Sequence, residues 1–293
     1  MNALEHSAPT FDEPAVVVGV DGTQIALDAV RWAAAEARLR RLPLRIVHAA
    51  PYAAGHDAPA VRRAQDILAR AFTVARRAEP GLRSSTHGTE QPPVDALLDA
   101  AGNAHLLVLG MGGGERPHEI LIGSVALEVS GCARCPVTVV RGRLQHPDRR
   151  PLLAGVDEPA TDEAVLDVAF SEARRHRDRL LVLHAGGPRH DTEPAVQDDL
   201  ADQLTSWADR YPDVPVDLRI VPGPPAPALL AAAVLARMVV LGTRGRTAPA
   251  RVLFGSTSRQ VLRRCGVPVT VVSPHAHLPR ETGLVASAER RRW

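Results

Sequence analysis

Apolar residues along this chain follow two rhythms. Short runs such as AVVVGV (15–20), LRIVHA (44–49), HLLVLG (105–110) and PVTVVR (136–141) show no apolar–polar alternation. Runs of this kind fit strands buried on both faces, as in a parallel sheet. Between them lie longer stretches with helical spacing. In 26–41, Leu27, Val30, Ala34 and Ala37 form one apolar face. In 57–78, Val61, Ile67, Leu68, Ala71 and Val74 do the same, with arginines on the opposite side. The stretch PPVDALLDAAG (92–102) has proline near its start and glycine near its end, the preferred order for a helix. A third, more polar strand is expected at LRSSTH (82–87).

The same order then returns. VVVGVDGT from Val16 matches LLAGVDEP from Leu152, LRIVHA matches LLVLHA (180–185), and the final CPVTVVR matches GVPVTVV (266–272). Asp21 and Asp157 are 157 − 21 = 136 apart, whereas Gly110 and Gly242 are 242 − 110 = 132 apart. The second copy therefore lacks a net four residues between its second and fourth strands. The pattern predicts two α/β units at 15–141 and 152–273, a linker at 142–151, and loose tails at 1–14 and 274–293.

The repeated unit carries a glycine-rich loop after its fourth strand. VLGMGGGERPHEILIGS (108–124) and VLGTRGRTAPARVLFGS (240–256) share one spacing, G-x2-G-x9-G-S. Gly110, Gly113, Gly123 and Ser124 recur as Gly242, Gly245, Gly255 and Ser256. Glycines let backbone approach a ligand closely, and a serine opening a helix adds a hydroxyl to unpaired N–H groups that favour an anion. The plain alternative is that the glycines turn the chain and the serine caps a helix. In an open parallel sheet, ligands collect at the carboxyl ends of strands beside the topological switch point. If strands one and four are neighbours, Asp21 faces the first loop and Asp157 the second.

Composition removes several chemistries. All 35 basic residues are arginine, so a Walker-type phosphate lysine, a Schiff base and a lysine general base are absent. The first strand ends in GVDG rather than G-x-G-x-x-G, which disfavours a Rossmann dinucleotide site. A formal net charge of +2 gives no general attraction to nucleic acid or membrane. No apolar run approaches the ~20 residues of a membrane span, and no apolar leader is visible, so a cytoplasmic location is expected. CARC (132–135) has redox or zinc spacing but no counterpart in the second copy, and it reads as ordinary helix-end residues. His48 and His184 hold equivalent places at the end of strand two, and without a partner at ligand spacing they read as structural.

The GVDG turn, the VHA closing strand two, the doubled G-x2-G-x9-G-S loop and the final PVTVV resemble the universal stress protein family. The likeness is to its ATP-binding branch in tandem two-domain form. It implies two open five-stranded parallel sheets of order 3-2-1-4-5, helices on both faces, packed as an internal pseudo-dimer through their last strands. It also implies ATP, with or without Mg²⁺, lying over strands one and four. By that likeness Gly19, Asp21, Ala49, Gly155, Asp157 and Ala185 sit beside the adenosine. Gly110, Gly113, Gly123 and Ser124 would hold ribose and phosphates in one copy, and Gly242, Gly245, Gly255, Ser256 and Thr257 in the other. Site two adds Arg244, Arg246 and Arg251, where site one has Gly112, Gly114 and Glu119. Arginine binds phosphate bidentately and a carboxylate repels it, so tighter triphosphate binding is expected at site two. Glu158 and Asp162 near its mouth act the other way. The implied activity is a nucleotide-binding stress-response regulator with an adenine nucleotide and an unidentified protein as partners, and further homodimerisation is open. A slow ATPase or nucleotidyl-transfer enzyme, and a scaffold that has lost its ligand, are the alternatives.

Overall fold

The computed structural model describes residues 13–53, 57–111, 124–141, 150–157, 162–186, 194–243 and 254–276. The first copy runs β1 (Ala15–Gly19), α1 (Gln24–Arg40), β2 (Leu44–Ala49), α2 (Ala58–Ala78) and β3 (Ser84–Thr89). It continues through α3 (Pro93–Ala101), β4 (Ala104–Gly110), α4 (Ser124–Cys132) and β5 (Val137–Val140). The second copy runs β6 (Leu152–Val156), α5 (Glu163–His176), β7 (Leu180–Gly186), α6 (Pro194–Arg210) and β8 (Val216–Pro222). It ends with α7 (Pro225–Ala233), β9 (Val239–Gly242), α8 (Ser256–Arg264) and β10 (Val269–Val272). The four missing residues come from one helix: α2 has 21 residues and α6 has 17.

Each copy is an α/β unit with parallel strands ordered 3-2-1-4-5, but the two do not remain separate sheets. The order is β3-β2-β1-β4-β5-β10-β9-β6-β7-β8, a single sheet of ten strands. Its one antiparallel pairing is the central β5–β10 junction, where Thr138 lies opposite Thr270. Their buried hydroxyls meet at 2.8 Å. Both inner edges are thereby consumed, which removes two templates for unwanted strand addition. The outer strands β3 and β8 are only partly buried, and their polar residues reflect that position.

On one face α3, α4, α7 and α8 share a single core that crosses the junction. On the other face α1 and α2 cover one half, α5 and α6 the other, and Trp32 packs against both cores. The halves also meet through ions. Arg40 of α1 bonds Glu36 one turn back and reaches both carboxylate oxygens of Glu172 on α5 at 2.7 Å. His176 Nε2 lies 3.1 Å from Glu36, and Arg175 lies 2.7 Å from Glu172. Glu36 and Glu172 are 172 − 36 = 136 apart, as are Arg40 and His176 (176 − 40 = 136), the same offset as Asp21 and Asp157. The cluster is therefore a pair of equivalent Glu–cation turns facing each other across the pseudo-twofold axis. Burial alone would push Glu36 up, but Arg40 and His176 more than offset it and hold it at about 2.

Helix ends follow local chemistry. Thr23 caps α1 by accepting a hydrogen bond from the Ala26 N–H at 3.2 Å. Both α1 and α5 close on a left-handed arginine, Arg41 at φ 57° and Arg177 at φ 56°.

Candidate functional site

Strands one and four are neighbours in both copies, as the crevice reading requires. Gly19 pairs with Leu109 between β1 and β4, and Gly155 pairs with Leu241 between β6 and β9. Asp21 thus follows the carboxyl end of β1, one strand from Gly110, the last residue of β4. Asp157 and Gly242 have the same relation in copy two. Ala49 closes β2 and Ala185 lies one residue before the end of β7, each beside the strand that carries the aspartate. Ser124 is the first residue of α4; Ser256 and Thr257 open α8, with Gly255 as its N-cap. Gly113, Gly123, Arg244, Gly245 and Arg246 lie outside the described residues, as does Glu158.

The two aspartates are held differently. Asp21 Oδ1 accepts from both the backbone N–H and the hydroxyl of Thr23, at 2.9 and 2.7 Å. That closes a turn in which Gly22 takes φ 88°, a value favouring glycine. Asp21 itself is exposed, with its second oxygen outside this turn. In copy two α5 starts later, and the backbone N–H of Asp157 donates to the buried Asp162 carboxylate at 2.8 Å. Asp162 therefore acts as a brace for the turn.

At the start of α8, Gly255 N–H donates to the Thr243 carbonyl at 2.6 Å, and Ser258 Oγ donates to the Gly242 carbonyl at 2.6 Å. These two bonds lock the helix start against the end of β9. The N–H groups of Ser256, Thr257 and Ser258 precede the first intrahelical bond, which Arg259 makes to Gly255 at 3.1 Å. They leave a partial positive charge at the carboxyl edge of the sheet. Sequence reading missed Ser258; the only hint was a third hydroxyl in GSTS, and copy one has Ala126 at that place.

Some glycines chosen for ligand approach have a packing reason as well. A Cβ on Gly19 would lie 2.8 Å from Leu97 and Leu109 side-chain atoms, and one on Gly155 would lie 2.9 Å from Leu229. At Gly110 a Cβ would lie 2.9 Å from the Ile25 carbonyl oxygen, because α1 begins directly against the end of β4. The histidines brace the same region. His48 Nδ1 donates to the Val20 carbonyl at 2.7 Å, and its Nε2 pairs with the Tyr52 hydroxyl at 2.9 Å. His184 Nδ1 repeats the first bond to Val156 at 3.2 Å.

Two further clusters carry thiol or metal-ligand chemistry. Cys132 and Cys135 are both free, and burial pushes the Cys135 thiol up to about 12. The group Glu36, Glu172 and His176 has metal-ligand chemistry within 4.8 Å, yet both carboxylates already bond Arg40. Among the described residues no helix is long and apolar enough to cross a membrane.

Comparison with known proteins agrees with the repeat and the topology. The family model described as Universal stress protein family matches residues 14–141 and again 148–273. A universal stress protein of Mycobacterium tuberculosis is 33% identical over 282 residues, covering 87% of this chain and 95% of its own. One from Mycolicibacterium smegmatis is 33% identical over 287 residues, covering 89% of this chain and 98% of its own. The crystal structure of a universal stress protein from Archaeoglobus fulgidus matches the fold with a TM-score of 0.71. It is 19% identical, over 90% of this chain and 99% of that one. With the family matched in both copies and relatives aligned along nearly their whole length, the chain belongs to the universal stress protein family, in its tandem form.

Proposed function

We propose that this chain binds an adenine nucleotide and works as a stress-response regulator, its conformation or choice of partner set by nucleotide occupancy. The observation that carries the reading is the start of α8. There Gly255 and Ser258 tie the helix to the end of β9, leaving three backbone N–H groups at the edge beside Asp157. Preorganised N–H donors at a helix start suit a phosphate better than donors that must first be ordered. The loop ahead of that helix carries Arg244, Arg246 and Arg251, which add charge-assisted donors. Copy one shares the strand geometry and Ser124, but its loop carries Glu115 and Glu119. Site two is therefore the tighter triphosphate site.

In this reading Ser256, Thr257 and the loop arginines hold the phosphates, and Asp157 accepts from a hydroxyl or amino group of the adenosine. Asp21 has the corresponding role in copy one through the oxygen not spent on Thr23. ATP is the nucleotide expected, with Mg²⁺ as a counter-ion on the phosphates. The loop sequences supply no evident general base beyond Asp21 and Asp157, which this reading places at the adenosine, so turnover below an ordinary enzyme rate of about 1 s⁻¹ is expected. A location in the cytoplasm and association with a protein partner belong to the same proposal.

The test is mass spectrometry of small molecules released from protein purified without added nucleotide, followed by equilibrium binding of ATP to Gly245→Asp and Gly113→Asp. Released adenylate and a larger loss for Gly245→Asp support the reading. Equal losses remove the ranking of the sites; absence of any ATP binding removes the proposal. Phosphate release with Mg²⁺-ATP above about 1 s⁻¹ would make the chain an enzyme instead.

A further inference from the structure

Helix α2 turns three cations into a cleft that the nucleotide reading does not use. An open cleft of about 420 Å³ lies between the β1–α1 turn and α2, within the usual range of small-ligand sites. Its apolar floor is formed by Val20, Leu27 and Ile67, and its polar wall by Arg62, Arg63, Asp66 and Arg70. Arg62, Asp66 and Arg70 stand four residues apart on α2, so they share one face of the helix.

The charges in this wall do not cancel: three guanidinium groups surround one carboxylate. None of Arg62, Asp66 and Arg70 forms an ion pair or hydrogen bond among the described residues, whereas Arg63 lies over the Tyr52 ring at 5.6 Å. Three arginines lining one cleft with an apolar floor attract an anion, and their planar forks match phosphate oxygens. Packing does not require them, because α2 seals its core with Ala64, Ala71 and Ala75. Copy two has no equivalent: α6 carries no arginine before Arg210 and has Asp198, Asp199 and Asp202. Its described lining includes Val20 and Gly22, on either side of Asp21, and no residue from the ends of the glycine loops.

We propose that this cleft binds a small phosphomonoester with a compact apolar body. The phosphate sits among Arg62, Arg63 and Arg70, the apolar part rests on Val20, Leu27 and Ile67, and Asp66 accepts from a ligand hydroxyl or amine. It shares the β1–α1 turn with Asp21 but draws on α2 cations to which the nucleotide reading gives no role.

Phenyl phosphate titrated into the ¹⁵N-labelled full chain, followed by backbone amide shifts, tests it. Saturable shifts are expected at Val20, Gly22 and Ile67, with Gly110, Ser124 and Ser256 unmoved at the same concentrations. The triple variant Arg62→Gln, Arg63→Gln, Arg70→Gln should lose about ten-fold or more in affinity, each guanidinium having offered a charged hydrogen bond. Its far-UV spectrum should be unchanged, because the three side chains are exposed. Asp66→Asn should tighten binding, an effect that damage to the fold would not produce. Three results would overturn the proposal: no saturable shift at millimolar phenyl phosphate, equal affinity in wild type and triple variant, or shifts confined to Ser124 and Ser256.

Discussion

Replacing Arg40 with Met removes a buried cation while keeping most of its aliphatic volume. The Arg40 side chain is 5% exposed, and Glu36 and Glu172 beside it are 6% and 9% exposed. The variant leaves Glu36 with His176 at 3.1 Å and Glu172 with Arg175 at 2.7 Å, so neither carboxylate is stranded completely. Breaking a buried ion pair by removing one partner costs roughly 3–5 kcal/mol, and Arg175, still bonded to Glu172, favours the lower end. The expected loss at pH 7 is about 3 kcal/mol.

The pH dependence separates this account from simple loss of packing. In the native protein Glu36 is held at about 2, below its ordinary 4.5. A depressed carboxylate contributes stability that is complete above about 4.5 and is lost as pH falls toward 2. That gap is worth about 3 kcal/mol at ~1.4 kcal/mol per pH unit. Without Arg40 a main influence lowering Glu36 is gone, and burial pushes its carboxyl up from about 2. The wild type then loses more stability than the variant as pH falls below about 4.5, so the variant's deficit shrinks there. Urea unfolding followed by circular dichroism at pH 7, 5 and about 3.5 measures this directly. A deficit under about 1 kcal/mol at pH 7, or one that does not shrink below pH 5, would refute the electrostatic reasoning.

Glycine, threonine and cysteine positions give further checks. Gly110→Ala places a Cβ against the Ile25 backbone and should cost roughly 1–3 kcal/mol, while Gly19→Ala meets only movable leucine methyls and should cost less; thermal unfolding compares them. Thr138→Val alone should cost about 1–3 kcal/mol by orphaning the Thr270 hydroxyl, whereas Thr138→Val with Thr270→Val should be near neutral in a denaturation cycle. Iodoacetamide at pH 8 should label Cys132 in the folded chain and spare Cys135, whose buried thiol titrates at about 12; mass spectrometry of tryptic peptides reads the outcome.

Much of the architecture was legible because buried parallel strands cannot alternate, and their unbroken apolar runs stood out. The polar edge strand was not: expected at 82–87, it pairs at Ser84–Thr89 because register with β2, and not its own pattern, decides its limits. Helix α2 was read with Val61, Ile67, Leu68, Ala71 and Val74 on one apolar face and arginines opposite. Ala71 is fully buried and the other four are half-buried, while Ala64 and Ala75, which that reading did not name, are buried beside it. With small residues at the core, α2 lies close to its neighbours and its arginines border the β1–α1 cleft. The buried Glu36 and Glu172 were not singled out from the sequence. Only their shared 136-residue offset hinted that a twofold axis would bring them together.

That axis separates two fates of a duplicated residue. Positions on it meet their own counterparts, so a change in one copy must be accommodated by the other. Thr138 still faces Thr270, and Arg40, whose counterpart is His176, bonds both glutamates. Positions away from it are free to diverge. The loop cations sit in copy two at Arg244, Arg246 and Arg251, and the helix cations in copy one at Arg62, Arg63 and Arg70. A homodimer cannot place different charges in its two ligand-facing regions while its axis stays fixed. A fused pair can, and here the buried axis keeps its pairing while the sequences of the two copies carry different cation sets.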